Sequence, residues 1–254
     1  MSICLQTKGL TKKFGGVTAV SNIDLTVESD QVYCIIGPNG AGKTTLFNLV
    51  SGIEPPTSGE IYFQEQKITR EPVHKIARMG IGRTFQNIRL FGQLSVLDNI
   101  LIGMHCQMDD SFLGSVVYNK KHRQVELDGR KEAQELLDFV GMGDLANENS
   151  ASLPYGAQRR LEIVRALASN PKLLMLDEPA AGMNGKEKND LVELIRRIRQ
   201  MGPTILFIEH NMPLVMGISD RIMVLNFGEC IAEGVPEEIQ NDPKVMEAYL
   251  GSDN

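Results

Sequence analysis

Nine consecutive residues, Gly37-Pro38-Asn39-Gly40-Ala41-Gly42-Lys43-Thr44-Thr45, have the types and order needed to hold a polyphosphate. Glycines let successive backbone N–H groups turn inward around phosphate oxygens, and a helix starting at the end of the loop adds its partial positive charge. Lys43 can then reach the terminal phosphates, and the Thr44 hydroxyl is placed to ligate Mg²⁺. The pattern G-x-x-x-x-G-K-[ST] carries this chemistry only between a strand and a helix. Both are predicted here. Val32-Tyr33-Cys34-Ile35-Ile36 reads as a buried parallel strand. Leu46, Leu49 and Val50 fall on one helical face, which Gly52 stops.

Three further positions carry groups that suit the same chemistry. Leu173-Leu174-Met175-Leu176 runs into Asp177-Glu178-Pro179, a buried strand that delivers two carboxylates to its C-terminal end. That is where α/β sheets bind ligands. Asp177 fits the acid that holds a phosphate-bridging Mg²⁺, and Glu178 is free to act as general base on water. Thr204 to Ile208 is another buried strand, ending in Glu209-His210; His210 is either a satisfied strand-end histidine or a γ-phosphate partner. Phe14, isolated in the polar turn Lys12-Lys13-Phe14-Gly15-Gly16, reads as a core residue or as a ring that stacks on a base. Gln86 ends the short run Ile81-Gly82-Arg83-Thr84-Phe85 and by itself reads as a surface glutamine.

The elements that must position these groups fit one large domain, or one domain with an inserted subdomain, in 254 residues. A hydrophobic fraction of 42% and a charged fraction of 23% suit a globular protein with a real core. The net charge of −6, with no dense basic tract, argues against nucleic acid as the main partner. Cys4, Cys34, Cys106 and Cys230 form no C-x-x-C pair and read as thiols in a reducing compartment. No signal peptide is visible, and no apolar run approaches the roughly 20 residues of a membrane span. The expectation is a cytoplasmic chain that reaches a membrane only by docking on another protein.

In chain order, residues 1 to 30 read as short strands and turns, with Val20, Ile23, Leu25 and Val27 partly alternating. Glu60 to Phe63 reads as a strand, and Pro72 and Gly80 bracket a short helix. From Asn87 to Leu153 the strand–helix alternation stops. Helices are predicted around Val96 to Leu101 and Ala133 to Val140, with a polar, irregular excursion from His105 to Arg130 between them. Its basic cluster Lys120-Lys121-His122-Arg123 reads as a solvated face or a docking patch. Alternation returns with helices over Arg160 to Ala168 and 185–201, then a hairpin around Phe227-Gly228 and two short helices from Pro236 to Leu250.

The order of phosphate loop, Gln86, Leu153-Pro154-Tyr155-Gly156-Ala157 before an Arg-rich helix, Leu173 to Pro179, and His210 resembles the ATP-binding-cassette (ABC) ATPases, from Phe14 to the tail. The resemblance implies an α/β P-loop NTPase core with an antiparallel β subdomain and an inserted α-helical subdomain. Residues 1–86 and 154–254 would form the nucleotide-binding core, and 87–153 the insertion. It implies ATP and Mg²⁺ as ligands. Phe14 would stack on adenine, and Thr44, Gln86 and Asp177 would serve the metal. Glu178 would be the base and His210 the γ-phosphate switch. Gln86 would also sense the attacking water and link to a membrane subunit. Two cassettes would sandwich two ATP molecules head to tail, each offering its Leu153–Ala157 signature to the other's phosphate loop.

Two departures stand out. The family's usual signature is Leu-Ser-Gly-Gly-Gln, so Pro154 removes a hydroxyl donor, while Tyr155 replaces a glycine and Ala157 the glutamine. Asn184 stands where the family usually has Asp. Within the family, Gly82 to Phe91, the long helical insertion, the Leu-Pro-Tyr-Gly variant and the ending Val245 to Gly251 look most like the larger ATPase of bacterial branched-chain amino-acid importers. That resemblance implies a second, shorter ATPase as heterodimer partner (a homodimer in isolation being the alternative). It also implies two integral-membrane permeases and a periplasmic or lipid-anchored solute-binding protein. Relatives of that branch serve urea or short amides. The competing readings are a soluble cassette ATPase acting on DNA or ribosomes, which usually carries a coiled-coil insertion or two cassettes, and a non-catalytic nucleotide-binding regulator. A GTPase would need an N-K-x-D motif, which does not follow the loop.

Overall fold

The computed structural model describes residues 2–105 and 120–250, which divide into two compact units, 1–86 with 172–254 and 87–171. The second unit begins where the strand–helix alternation was predicted to stop. It ends later than expected, because residues 154–171, assigned from sequence to the nucleotide-binding core, cluster with the helical residues.

The first unit holds two sheets. Strands β1 (Ile3–Phe14), β2 (Val17–Glu28), β4 (Ser58–Phe63) and β5 (Gln66–Lys67) form an antiparallel sheet in the order β2-β1-β4-β5. The other sheet has the order β10-β9-β3-β8-β7-β6, from β3 (Val32–Ile36), β6 (Ile81–Arg83), β7 (Leu173–Asp177), β8 (Thr204–Ile208), β9 (Arg221–Asn226) and β10 (Glu229–Gly234). Only β9–β10 pair antiparallel in it. Strands β3, β7 and β8 are buried at every position, which explains their unbroken apolar runs. Helix α1 (Lys43–Val50) buries Leu46, Phe47, Leu49 and Val50 in a core that takes residues from both sheets, among them Leu10, Leu25, Ile35 and Met175. Helices α2 (Val73–Arg78), α6 (Gly185–Gln200), α7 (Met212–Ile218), α8 (Pro236–Gln240) and α9 (Pro243–Leu250) complete the unit. Among its cysteines Cys4 and Cys34 are buried and Cys230 is exposed, all as free thiols; Cys106 lies outside the described residues.

The second unit is helical: α3 (Val96–His105), α4 (Lys120–Phe139), two 3-10 turns and α5 (Tyr155–Leu167). The Ser95 hydroxyl accepts from the Asp98 backbone N–H at 3.0 Å, capping α3. Buried Asn99 holds the preceding loop through Phe91 and Ser95. The expected irregular stretch to Arg130 needs correction, since residues 120–130 belong to α4. Lys, Arg, Glu and Gln are good helix formers, and a polar stretch of them shows no apolar periodicity to read. Residues 106–119 and the side chains of Lys120 to Arg123 lie outside the described residues. No helix among the described residues is long and apolar enough to cross a membrane.

Candidate nucleotide site

The phosphate loop leaves the C-terminal end of β3, the third strand of the larger sheet, and turns into α1 at Lys43. Its path depends on glycine at two points. Gly37 has φ +147° and a Cβ there would sit 2.1 Å from the Leu225 carbonyl oxygen; Gly42 has φ +101° and a Cβ would sit 2.3 Å from the Ala19 carbonyl oxygen. Any larger residue must push backbone away as well as adopt a disfavoured φ. Gly42 is also the N-cap, so no side chain competes for the first N–H groups of α1, and no acidic residue lies in its first turn. This leaves donors and partial positive charge at the loop for an anion.

Lys43 is largely buried, and its ammonium spans the loop, donating to the carbonyls of Gly37 at 2.7 Å and Pro38 at 2.9 Å. Burial lowers its pKa, while the Glu178 and then the Asp177 carboxylate work against that. Both acids predicted from the end of β7 therefore act electrostatically on the loop lysine. Asp177 is almost fully buried, with its backbone N–H donating to the Thr84 hydroxyl at 3.2 Å. Glu178 is half-buried with φ +47°, a left-handed conformation rare for a glutamate, and strain of this kind collects at functional sites. Gln86 Nε2 donates to Glu178 Oε2 at 3.2 Å, so two residues 92 apart in sequence meet, with both side chains reached by solvent.

His210 is exposed after β8 and held by its neighbour. Glu209, fully buried, accepts from the Ala180 N–H at 2.8 Å through one oxygen, and from the His210 and Asn211 N–H groups at 3.0 and 3.2 Å through the other. One carboxylate thus fixes the turn after Glu178 and the turn that carries His210. Sequence reasoning passed over Glu209, Thr84 and Arg83, whose guanidinium pairs with Asp177 at 3.1 Å. The available signal was weak: an acid abutting a buried strand end, and an arginine within the short run Ile81 to Phe85.

Phe14 is not a core residue. It is 47% exposed at the end of β1, with the Lys12 ammonium 4.7 Å from its ring centroid, and the paired strand β2 brings Ala19 against the phosphate loop. Thr44 is exposed and Thr45 half-buried at the start of α1. Of the remaining loop residues Asn39 and Gly40 are exposed, Pro38 half-buried and Ala41 buried.

The signature residues belong to the helical unit. Leu153 is buried, Pro154 is the N-cap of α5, Tyr155 is half exposed, and Gly156 and Ala157 are buried. Arg159 and Glu162 form a fully buried pair at 3.1 Å. Glu162 accepts from the Arg89 N–H at 3.1 Å, and Arg159 Nη2 donates to the Tyr155 hydroxyl at 3.4 Å. Asn184 caps α6 in a reciprocal box with Glu187, a local structural task that asparagine performs as well as aspartate.

The donor set suits a hard divalent cation. Thr44 and Asp177 offer oxygen ligands, and no group of three or more His, Cys, Asp or Glu able to hold a metal occurs among the described residues. Mg²⁺ is typically bound by one or two carboxylates with the rest of its shell from water and substrate phosphates, so the residues present fit that ion.

A mostly parallel sheet with a glycine loop and lysine after its central strand β3, and an Asp-Glu pair ending β7, the next strand but one, define a P-loop nucleotide hydrolase. A family model described as ABC transporter matches residues 20–181, and one described as branched-chain amino acid ATP-binding cassette transporter matches residues 229–253. The chain is 46% identical over 248 residues to the high-affinity branched-chain amino acid transport ATP-binding protein BraF of Pseudomonas aeruginosa, covering 97% of each chain. It is 45% identical, with the same coverage, to the corresponding protein LivG of Escherichia coli. Its fold matches the crystal structure of the ADP conformation of an ATP-binding cassette of an ABC transporter, with TM-score 0.85, 32% identity and coverage of 99% of this chain and 100% of that one. The chain belongs to the ABC transporter family, as one of its ATP-binding ATPase subunits.

Proposed function

We propose that this chain is the ATP-hydrolysing subunit of an importer for branched-chain amino acids, working beside a second cassette on two membrane permeases supplied by a solute-binding protein. The ATPase part of the reading rests above all on the 3.2 Å contact between Gln86 and Glu178, beside the phosphate loop's lysine. The cargo follows from the full-length likeness to BraF and LivG and from the branched-chain model over residues 229–253.

In this reading the loop N–H groups and Lys43 bind the β and γ phosphates, and Phe14 stacks on the adenine. Thr44, Asp177 and Gln86 would hold Mg²⁺, which would supply positive charge against the phosphoryl oxygens. Glu178 takes a proton from the attacking water, and Gln86 orients that carboxylate. His210, presented by the Glu209-anchored turn, donates to the γ-phosphate. A partner cassette lays its signature on this loop, while Leu153 to Ala157 of this chain serve the partner's site. Binding ATP then closes the dimer and hydrolysis releases it.

The test is to solubilise membranes gently with ATP and Mg²⁺, isolate the tagged chain and identify what co-purifies, then measure leucine uptake in cells carrying Lys43→Ala. Two permeases, a shorter ATPase and lost uptake support the reading. Ribosomal or DNA-bound partners, or unchanged uptake, overturn it.

A further inference from the structure

We propose that Arg83 is the resident counter-ion of Asp177, making divalent-metal binding conditional on nucleotide; this rests on the assignment of Asp177 to the metal made above. Strand β6 pairs in parallel with β7, and Arg83 lies opposite Met175, two residues before Asp177. A two-residue offset on paired strands puts Arg83 and Asp177 on the same face of the sheet. Their side chains are only 7% and 2% exposed, and Arg83 Nη2 meets Asp177 Oδ2 at 3.1 Å. The guanidinium is fixed on its other side too. Nη1 donates to the Ser51 hydroxyl at 2.6 Å, and Ser51, which caps the C-terminal end of α1, donates onward to the Phe47 carbonyl at 2.8 Å. The rings of Phe47 and Phe85 lie 5.6 and 5.1 Å from the guanidinium carbon.

A buried carboxylate needs a compensating charge, and arginine supplies one that never titrates away and is held in a fixed fork. In the folded chain without metal, Asp177 therefore already has its counter-charge. A divalent cation arriving alone meets a carboxylate already paired with a fixed positive charge. Among the described residues no group of three or more His, Cys, Asp or Glu able to hold a metal is present to offset that repulsion. Nucleotide phosphates bring both the missing ligands and the missing negative charge, so metal and nucleotide enter together. The same arginine ties the end of α1, whose start carries Lys43 and Thr44, to the strand carrying Asp177.

The experiment is Mn²⁺ titration of the full chain, followed by the electron paramagnetic resonance of free Mn²⁺, with and without ADP. Arg83→Gln keeps a hydrogen-bonding side chain but removes the charge. It is expected to tighten the binding of Mn²⁺ alone by about tenfold, while Arg83→Lys stays within about threefold of wild type. The gain is expected to vanish in the R83Q/D177N double variant. Unchanged or weaker Mn²⁺ binding by R83Q overturns the proposal. So does an R83Q chain that stays unfolded even in millimolar Mn²⁺, because a divalent cation then does not replace the arginine. D177N alone separates the two readings: retention of wild-type ADP-dependent Mn²⁺ binding would show that Asp177 is not the metal acid, whatever R83Q does.

Discussion

Glu209 offers a sharp test of how the turns after β7 and β8 are held. Its two oxygens accept three backbone N–H groups, from Ala180, His210 and Asn211, in a site closed to solvent. Substituting Gln keeps the shape but turns one oxygen into an NH₂ group. The better orientation leaves the oxygen on His210 and Asn211 and sets the amide against the Ala180 N–H, so one charge-assisted bond becomes two opposed donors. Hydrogen bonds to charged groups contribute about 1.5–3 kcal/mol, and an unsatisfied buried donor costs about as much, so E209Q should lose about 2–3 kcal/mol. For a chain of this size each kcal/mol lowers Tm by about 2–4 °C, giving a fall of about 5–10 °C in a calorimetric melt. Glu209→Ala strands all three donors and should fall further. ATP turnover should drop in E209Q as well, because Ala180 lies two residues after Glu178 and His210 directly follows Glu209. A Tm for E209Q within about one degree of wild type would refute the account of this carboxylate.

Lys43→Ala should remove measurable ATP binding by calorimetry, since Lys43 is the loop's only cation and lies against the carbonyls of Gly37 and Pro38; wild-type affinity would refute its role. Gly42→Ala combines a positive φ with a Cβ 2.3 Å from the Ala19 oxygen, and should cost at least about 2 kcal/mol in urea unfolding along with ATP affinity. Asn184→Ala should cost about 1 kcal/mol through loss of the α6 cap, whereas Asn184→Asp should be nearly neutral, both read by denaturant midpoint. A neutral alanine would mean that the capping box contributes nothing.

What the sequence disclosed depended on how local the determining interactions are. The phosphate loop is contiguous and flanked by its own strand and helix, so Gly37 to Thr45 could be read whole. Asp177, Glu178 and His210 were legible because fully buried parallel strands are unbroken apolar runs whose ends stand out. Arg83 and Glu209 were not, because their partners lie elsewhere in the chain. Arg83 meets Asp177 only through the β6–β7 register, and Glu209 reaches Ala180 across neighbouring strands. Helix α7 was missed because seven residues with a proline in the first turn offer too little periodicity, although Asn211 caps it. The first half of α4 was missed for its polarity, and Phe14's exposure follows from its place at a hairpin end beside Lys12. The extent of the helical unit was not legible, since α5 resembles any amphipathic core helix in sequence.

If Glu178 is the base, the ATP-binding site stands without it. Glu178→Gln, assayed for ATP affinity, turnover and oligomeric state, tests that role most directly. Near wild-type ATP affinity, a turnover reduced by about 10²–10⁴-fold, and a dimer that persists in ATP are expected. Wild-type turnover in that variant would contradict that role.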